Sequence, residues 1–411
     1  MQQSTEPVWL VSRANSLREK VYLEAPFKLH MGYHKKELIP SPPEGYQFVA
    51  TGGRGEEISS EISKHEFGIR ALEALNYNVP LIYLKSEFDR LLRRPPIGTR
   101  LTYSCHHLIL RQEPWVLESQ GIREMVGSNL TQFWALRRRV RDALLSRNCK
   151  KVMFFTNFAR ESCARIFKDS TELMPKLDVL PRAVHAKSVS KIAHEGVNVL
   201  FVGSANLSGL FEYRGGREVL EVFSRVSRYR ENVTLILRSE VPRHLRARYS
   251  ELFRSGKVKY YPEPIPAQGL EALYRESDIF FFPSHYESWQ IALEAMSYEM
   301  PVIALNIEGM SEVIESGVTG YLVSESPSVP TSWNGIPLPT IAPDVKKAIS
   351  RGPYHDQVVE LENRLVRLID DIELRKSMGT MARASIETGS HSIEFRNRKL
   401  KSVFDYAMEH V

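Results

Sequence analysis

The sequence predicts an α/β protein made of two doubly wound units, each a parallel sheet flanked by helices. Three observations lead there. At 411 residues the chain exceeds what one ordinary core encloses, which argues for two domains. Short apolar runs alternate with helix-length amphipathic segments almost throughout, the pattern of parallel strands joined by crossover helices. The clearest stretch, Asp278 to Val323, reads strand, loop, helix, strand, loop, short helix, strand. One of its carboxylates falls in the loop after a strand's carboxyl end and another inside the next helix, and open α/β sheets hold ligands outside strand ends and near helix starts.

In the first half, strands are expected at Val8 to Val11, Tyr46 to Ala50, Pro80 to Leu84, Leu101 to Cys105, Val116 to Glu118 and Lys151 to Phe155. Helices are expected at Ile62 to Asn76, Thr131 to Ser146 and Asn157 to Phe167. Gly52-Gly53 reads as a turn. Pro181 to Ala193 is polar and patternless and marks the junction, giving a first domain of residues 1–188 and a second of 189–390. In the second, strands at Val197 to Val202, Val233 to Leu237, Val258 to Tyr261, Ile279 to Phe282, Val302 to Leu305 and Gly320 to Val323 make six. Helices at Gly216 to Tyr229, Arg243 to Ser255 and Gln268 to Glu276 separate the early ones. Ser326 to Asp344 is rich in Pro and Ser and reads as a surface loop. Gln357 to Thr388 reads as helical. In the tail, residues 391–411, an amphipathic helix from Ile393 to Glu409 is expected to pack back on the first domain.

Composition narrows the classes. Hydrophobic content of 43% and charged content of 25% suit a soluble globular protein. Cys105, Cys149 and Cys163 form no CxxC pair, against a disulfide framework or cysteine zinc site and in keeping with a reducing cytoplasm. No apolar run approaches the roughly 18 residues that span a bilayer, and the first residues lack a signal-peptide core, so a cytoplasmic location is expected. A net charge of +6 suits anionic ligands, a membrane surface or nucleic acid. No RRM, KH or aromatic-basic platform supports nucleic acid. The stretch from Trp134 through Arg137, Arg138, Arg139 and Arg141 to Arg147, Lys150 and Lys151 suits anionic lipid at the inner membrane face, and equally the solvated face of an ordinary helix. The pairs His30/His34 and His106/His107 come without HExxH or a carboxylate triad, so no metal is expected.

Two segments carry chemistry. Glu287 follows the strand Ile279 to Phe282, and Glu294 lies among Ile291, Ala292, Leu293, Ala295 and Met296, where a carboxylate is costly without a partner. The strand Val197 to Val202 ends in Gly203, and Arg214-Gly215-Gly216 precedes a helix. A cation beside an amide-rich helix start suits an anionic ligand.

The order Pro283-Ser284, Glu287, Glu294-Ala295-Met296, Pro301-Val302-Ile303, Gly309, Glu312, Gly320-Tyr321-Leu322-Val323 resembles glycosyltransferase family 4, among the group 1 glycosyltransferases. The resemblance covers Val197 to Val323 well and the first domain weakly. It implies a GT-B fold, two Rossmann-like doubly wound domains facing an interdomain cleft. It implies transfer of a hexose, with retention, from a nucleotide diphosphate sugar to a hydroxyl of a glycan, lipid-linked sugar or polysaccharide, without cofactor or metal. By resemblance Glu287 contacts the transferred sugar and Glu294 the ribose. Arg214, Gly203, Gly215 and Gly216 serve the diphosphate, with Arg238 after the next strand in support. Ser288, Trp289 and Gln290 stand where the family has Gly-aromatic-Gly and bear on donor choice. His107 and Glu118 take the acceptor-side roles, with His106 as the alternative histidine.

Two departures stand out. Six residues, not seven, separate Glu287 from Glu294, and Ser204 stands where many members have arginine. They motivate a second reading, a non-catalytic GT-B subunit that binds a sugar nucleotide or a partner glycosyltransferase. A nucleotide-sugar epimerase of the same fold is a third, against which the glutamate pattern argues.

Overall fold

The computed structural model describes residues 18–24, 33–49, 94–127, 130–188, 190–203, 210–286, 288–333, 336–337 and 342–410. The strands expected at Val8 to Val11 and Pro80 to Leu84, the helix Ile62 to Asn76, Gly52-Gly53, Ser204 and Glu287 lie outside the described residues.

Among these residues, six parallel strands form the first sheet: β1 (Glu19–Glu24), β2 (Tyr46–Val49), β3 (Thr99–Cys105), β4 (Trp115–Ser119), β5 (Cys149–Phe154) and β6 (Leu177–Val179). Their order is β2-β1-β3-β4-β5-β6. Helix α1 (Leu130–Leu145) precedes β5 and α2 (Asn157–Ile166) follows it. Neither β1 nor β6 stands out in the sequence. The ends of β1 are charged, and β6 has three residues, too few to show a period.

The second sheet contains β7 (Val197–Val202), β8 (Val233–Arg238), β9 (Val258–Tyr261), β10 (Ile279–Phe282), β11 (Val302–Asn306) and β12 (Gly320–Ser324), all parallel, in the order β12-β11-β10-β7-β8-β9. Its helices are α3 (Gly216–Val226), α4 (Arg243–Arg248), α5 (Ser250–Arg254), α6 (Ala267–Arg275) and α7 (Trp289–Met296). Winding reverses between β7 and β10, so a crevice opens beyond their carboxyl ends. Burial on both faces explains why these strands read as unbroken apolar runs: Ile279, Phe280, Phe281 and Phe282 are each 0% exposed.

The expected helix Arg243 to Ser255 is two, broken at Tyr249, whose φ of −103° and ψ of 27° leave the helical region. The expected helix Gln357 to Thr388 is also two, α9 (His355–Asp370) and α10 (Ile372–Glu387). Asp371 separates them because its carboxylate accepts the Leu374 amide at 2.9 Å and so starts a new helix. The Pro- and Ser-rich segment is not all loop. Ser332–Trp333 pairs with Ile336–Pro337, and α8 (Pro343–Arg351) begins at a proline, whose missing N–H costs nothing there.

The last helix, α11 (Ile393–Glu409), lies on the first sheet. Leu400, Val403, Phe404 and Ala407 share a core with Val21, Leu101, Tyr103 and Val116. The Phe404 ring meets Tyr46 edge-on at 5.1 Å and Tyr103 at 5.6 Å. Burying such a ring contributes about 2 kcal/mol. Arg396, 1% exposed, anchors the helix start by donating to the carbonyls of Glu37 at 2.9 Å and Ser41 at 2.7 Å.

Candidate active site

The crevice of the second sheet is shaped by glycines. Gly215 has φ of +79°, and a Cβ there would stand 2.0 Å from the Pro283 carbonyl oxygen. A Cβ on Gly216 would stand 2.3 Å from the Phe211 ring. The start of α3 therefore rests directly on the loop after β10. That contact brings Arg214 to Ser288, 74 positions away, and Arg214 donates to its hydroxyl. The guanidinium also lies 5.7 Å from the Phe282 ring and 5.3 Å from the Tyr286 ring.

Gly203 packs equally tightly, since a Cβ there would be 2.4 Å from Ser239 Oγ. Arg238, 9% exposed, donates through Nη1 to the Gly203 carbonyl at 3.1 Å, and its buried Nε has no hydrogen-bond partner. Burial lowers the affinity of this group for its proton. A buried guanidinium satisfied so sparsely is an incomplete ion site that an anion would complete.

Glu294 is half-buried in α7. Burial raises its pKa, Lys36 and Lys187 oppose that, and Glu37 adds to it. Lys36 and Glu37 precede β2, so Glu294 faces the first sheet's half of the molecule. Trp289, in the first turn of α7, is 5% exposed and meets Phe155 edge-on at 6.0 Å. Phe155 in turn meets His106 at 5.9 Å, so three rings form a ladder between the sheets. Gln290 is half-buried, and its Oε1 has no hydrogen-bond partner.

On the first sheet, the expected residues sit in buried networks. His107 Nδ1 faces the Cys105 carbonyl at 3.0 Å and Nε2 faces Glu24 at 3.1 Å. Glu118, 1% exposed, accepts from His34 at 2.9 Å and from the Tyr103 hydroxyl. His107 thus pairs with Glu24 and Glu118 with His34, while His106, φ +65°, sets its ring edge-on to Phe155. Burial raises the pKa of Glu118, but His34, Arg182 and Tyr103 outweigh it and hold the carboxyl below its ordinary value. Among the described residues, His34, Cys105 and Glu118 are the one trio close enough to share a metal ion. Both Glu118 oxygens are already engaged by protein donors, so the trio reads as a satisfied core network.

The Glu24 site yields a stability prediction. Burial would raise its pKa, yet His107 and Arg111 pull it down to about 2 from an ordinary 4.5. A depressed folded-state pKa contributes stability that is present above pH 4.5 and lost as pH falls through about 2. Glu24→Gln is expected to cost about 3 kcal/mol at neutral pH and to flatten that acid limb in urea titrations.

Thr156 and Asn157 meet the second half through residues that sequence reading left without a role. The Glu312 carboxylate accepts the Asn157 amide at 2.6 Å and the Phe158 amide at 2.9 Å, capping α2 from the far domain. Gly309, φ +82°, allows this approach, because a Cβ there would stand 2.9 Å from Thr156. Beside this contact is a cavity of ≈ 220 Å³ lined by Phe155, Asn157, Arg182, Trp289, Glu312 and His391 among others. The chain-local signal for the α2 cap was the Thr-Asn pair opening a helix. Nothing local named Glu312 as its partner.

Residues 196–331 match the family described as glycosyl transferases group 1. An uncharacterized 41.2 kDa protein in the cps region of Klebsiella pneumoniae is 32% identical over 136 residues, 33% of this chain and 35% of that protein. The chain thus spans about a third of that relative's length, and less of the next curated relatives. A glycosyltransferase from Rickettsia africae superposes with a TM-score of 0.59 at 14% identity, covering 96% of this chain and 99% of that one. Anabaena HepE in complex with UDP superposes with a TM-score of 0.58 at 14% identity, covering 94% and 99%. Residues 196–331 thus resemble the group 1 glycosyl transferases, and the chain shares the two-domain GT-B fold of these solved structures.

Proposed function

We propose that this protein is a group 1 glycosyltransferase, a retaining hexosyltransferase of family 4. It moves a hexose from a nucleotide diphosphate sugar to a hydroxyl of a glycan, lipid-linked sugar or polysaccharide. The observation that supports this reading best is Arg238, buried at the carboxyl end of β8 with its Nε unpartnered beside Gly203, in a sheet whose next crevice loop is held by Arg214 and whose helix α7 carries Glu294. In this reading Glu294 holds the ribose, and the two arginines meet the diphosphate charge that grows as the glycosidic bond breaks. Charge met by arginine supports a site that works without a resident metal. Glu287, by sequence position, faces the sugar. Retention follows if the departing phosphate, held by Arg214, takes the acceptor's proton on the face from which it leaves.

A cytoplasmic place with peripheral contact to anionic lipid belongs to the same proposal. Among the described residues no helix is long and apolar enough to cross a membrane. Arg137 is engaged with the Ile166 carbonyl and the Trp134 and Phe167 rings, and Arg138, Arg139 and Arg147 are exposed.

The test is a thermal-shift and hydrolysis screen against UDP-, GDP- and ADP-sugars. One donor is expected to stabilise the protein and release its nucleoside diphosphate slowly, and Glu294→Ala to abolish both. Stabilisation without release, even with acceptors supplied, would favour the non-catalytic subunit. No response to any donor would remove the reading. Because burial raises the Glu294 pKa, protonation is expected to weaken donor affinity by up to about tenfold as pH falls, beginning at a higher pH than for an ordinary carboxylate, a dependence that Glu294→Gln removes.

A further inference from the structure

The geometry points to His285 as the positioning residue of the donor loop, its imidazolium held between Glu218 and Glu325 so that Ser284, Tyr286 and Ser288 stay aligned on Arg214. This rests on the transferase reading. The His285 side chain is 1% exposed, with Nδ1 2.6 Å from Glu325 Oε2 and Nε2 3.3 Å from Glu218 Oε1, the second an ion-pair distance more than a well-formed hydrogen bond. Glu218 lies in the first turn of α3, four residues after Arg214, and Glu325 directly follows β12. The clamp therefore ties the loop after β10 to the elements on both sides of it.

The other groups facing the clamp are committed elsewhere. Arg217 donates to Glu212 at 2.7 Å and to the Gly352 carbonyl at 3.2 Å. The Tyr354 hydroxyl donates to the Ala348 carbonyl at 2.8 Å. Gln357 and the Ser326 amide donate to the remaining oxygen of Glu325, at 2.9 and 2.8 Å, without adding charge. His285 is thus the one ion-pair partner of either carboxylate among the described residues. A neutral imidazole carries a single N–H and would turn a lone pair towards one of the two anions. Both contacts hold only while the ring is charged.

From His285 the connection to Arg214 is short. The His285 amide donates to the Tyr213 carbonyl at 2.9 Å, beside Arg214 in sequence. The Ser284 hydroxyl donates to the Tyr286 carbonyl at 2.8 Å, and the Ser288 hydroxyl, which Arg214 holds, donates to the same carbonyl at 3.2 Å. Burial disfavours the imidazolium, but Glu218 and Glu325 outweigh it and push the pKa up to about 10 from 6.5. The associated stability is present below pH 6.5 and lost as pH rises through about 10.

The test is the pH profile of kcat/KM for the donor that the wild type turns over. An alkaline limb near the His285 pKa is expected. Glu325→Gln and Glu218→Gln each remove one anion, and each is expected to move that limb down by about one pH unit or more. His285→Gln is expected to cost at least about tenfold in kcat/KM while retaining the wild-type circular dichroism. A merely structural role would lower activity without moving the limb. A limb unmoved in both Glu325→Gln and Glu218→Gln overturns the proposal, as does a folded His285→Gln with wild-type kcat/KM. If His285→Gln does not fold, the two glutamate variants decide. A wild type that turns over no sugar nucleotide at any pH overturns the transferase reading itself, and the functional role of the clamp with it.

Discussion

Arg214→Ala is expected to lower kcat for donor turnover by about 10²- to 10³-fold while donor KM changes less than about tenfold. The guanidinium is held over the Phe282 and Tyr286 rings and on the Ser288 hydroxyl, so it is fixed in place before any anion arrives. A fixed cation gains most from charge that is still developing, which is a property of the transition state more than of the bound donor. Arg214→Lys should recover only part of the loss, because an ammonium cannot bind Ser288 and a phosphate oxygen in one planar fork. Steady-state kinetics with the screened donor measure both constants. An effect confined to KM would assign Arg214 to ground-state binding and refute its part in leaving-group stabilisation.

Gly215→Ala is expected to lower stability by about 2–5 kcal/mol and to abolish turnover. Two costs add. A non-glycine residue at φ +79° is strained by about 1–2 kcal/mol, and the new methyl meets the Pro283 carbonyl at 2.0 Å, where the neighbour is backbone and cannot swing away. Either α3 or the loop after β10 must move, and the Arg214–Ser288 contact goes with it. Gly256→Ala is the control. Its φ is +75°, and nothing lies within 4 Å of the added Cβ, so it carries strain without the clash. Urea denaturation of the two variants separates the terms. Equal losses would mean that the contact with Pro283 is not what requires glycine at 215.

Much of the second half was legible in the chain because its evidence is local. Strands buried on both faces must be apolar throughout, and Val197–Val202 and Ile279–Phe282 coincide with the runs read from the sequence. The helix breaks at Tyr249 and Asp371 were missed because apolar periodicity continues across a single non-helical residue. The first half was harder, since β1 and β6 are short or charged at their ends and carry little period.

The site divides in the same way. Sequence by itself determined which residues could bear the chemistry: a cation before two glycines at a helix start, and a carboxylate in an apolar helix. Only the tertiary structure decided which of them meet. It joined Arg214 to Ser288, gave His107 to Glu24 and Glu118 to His34, set Glu312 on the start of α2, and enclosed His285 between Glu218 and Glu325. Periodicity and composition register how each segment meets water, which is a property of a dozen neighbouring residues. A hydrogen-bond partner 74 or 155 positions away is chosen by the path of the chain through two sheets, and no local pattern encodes that path.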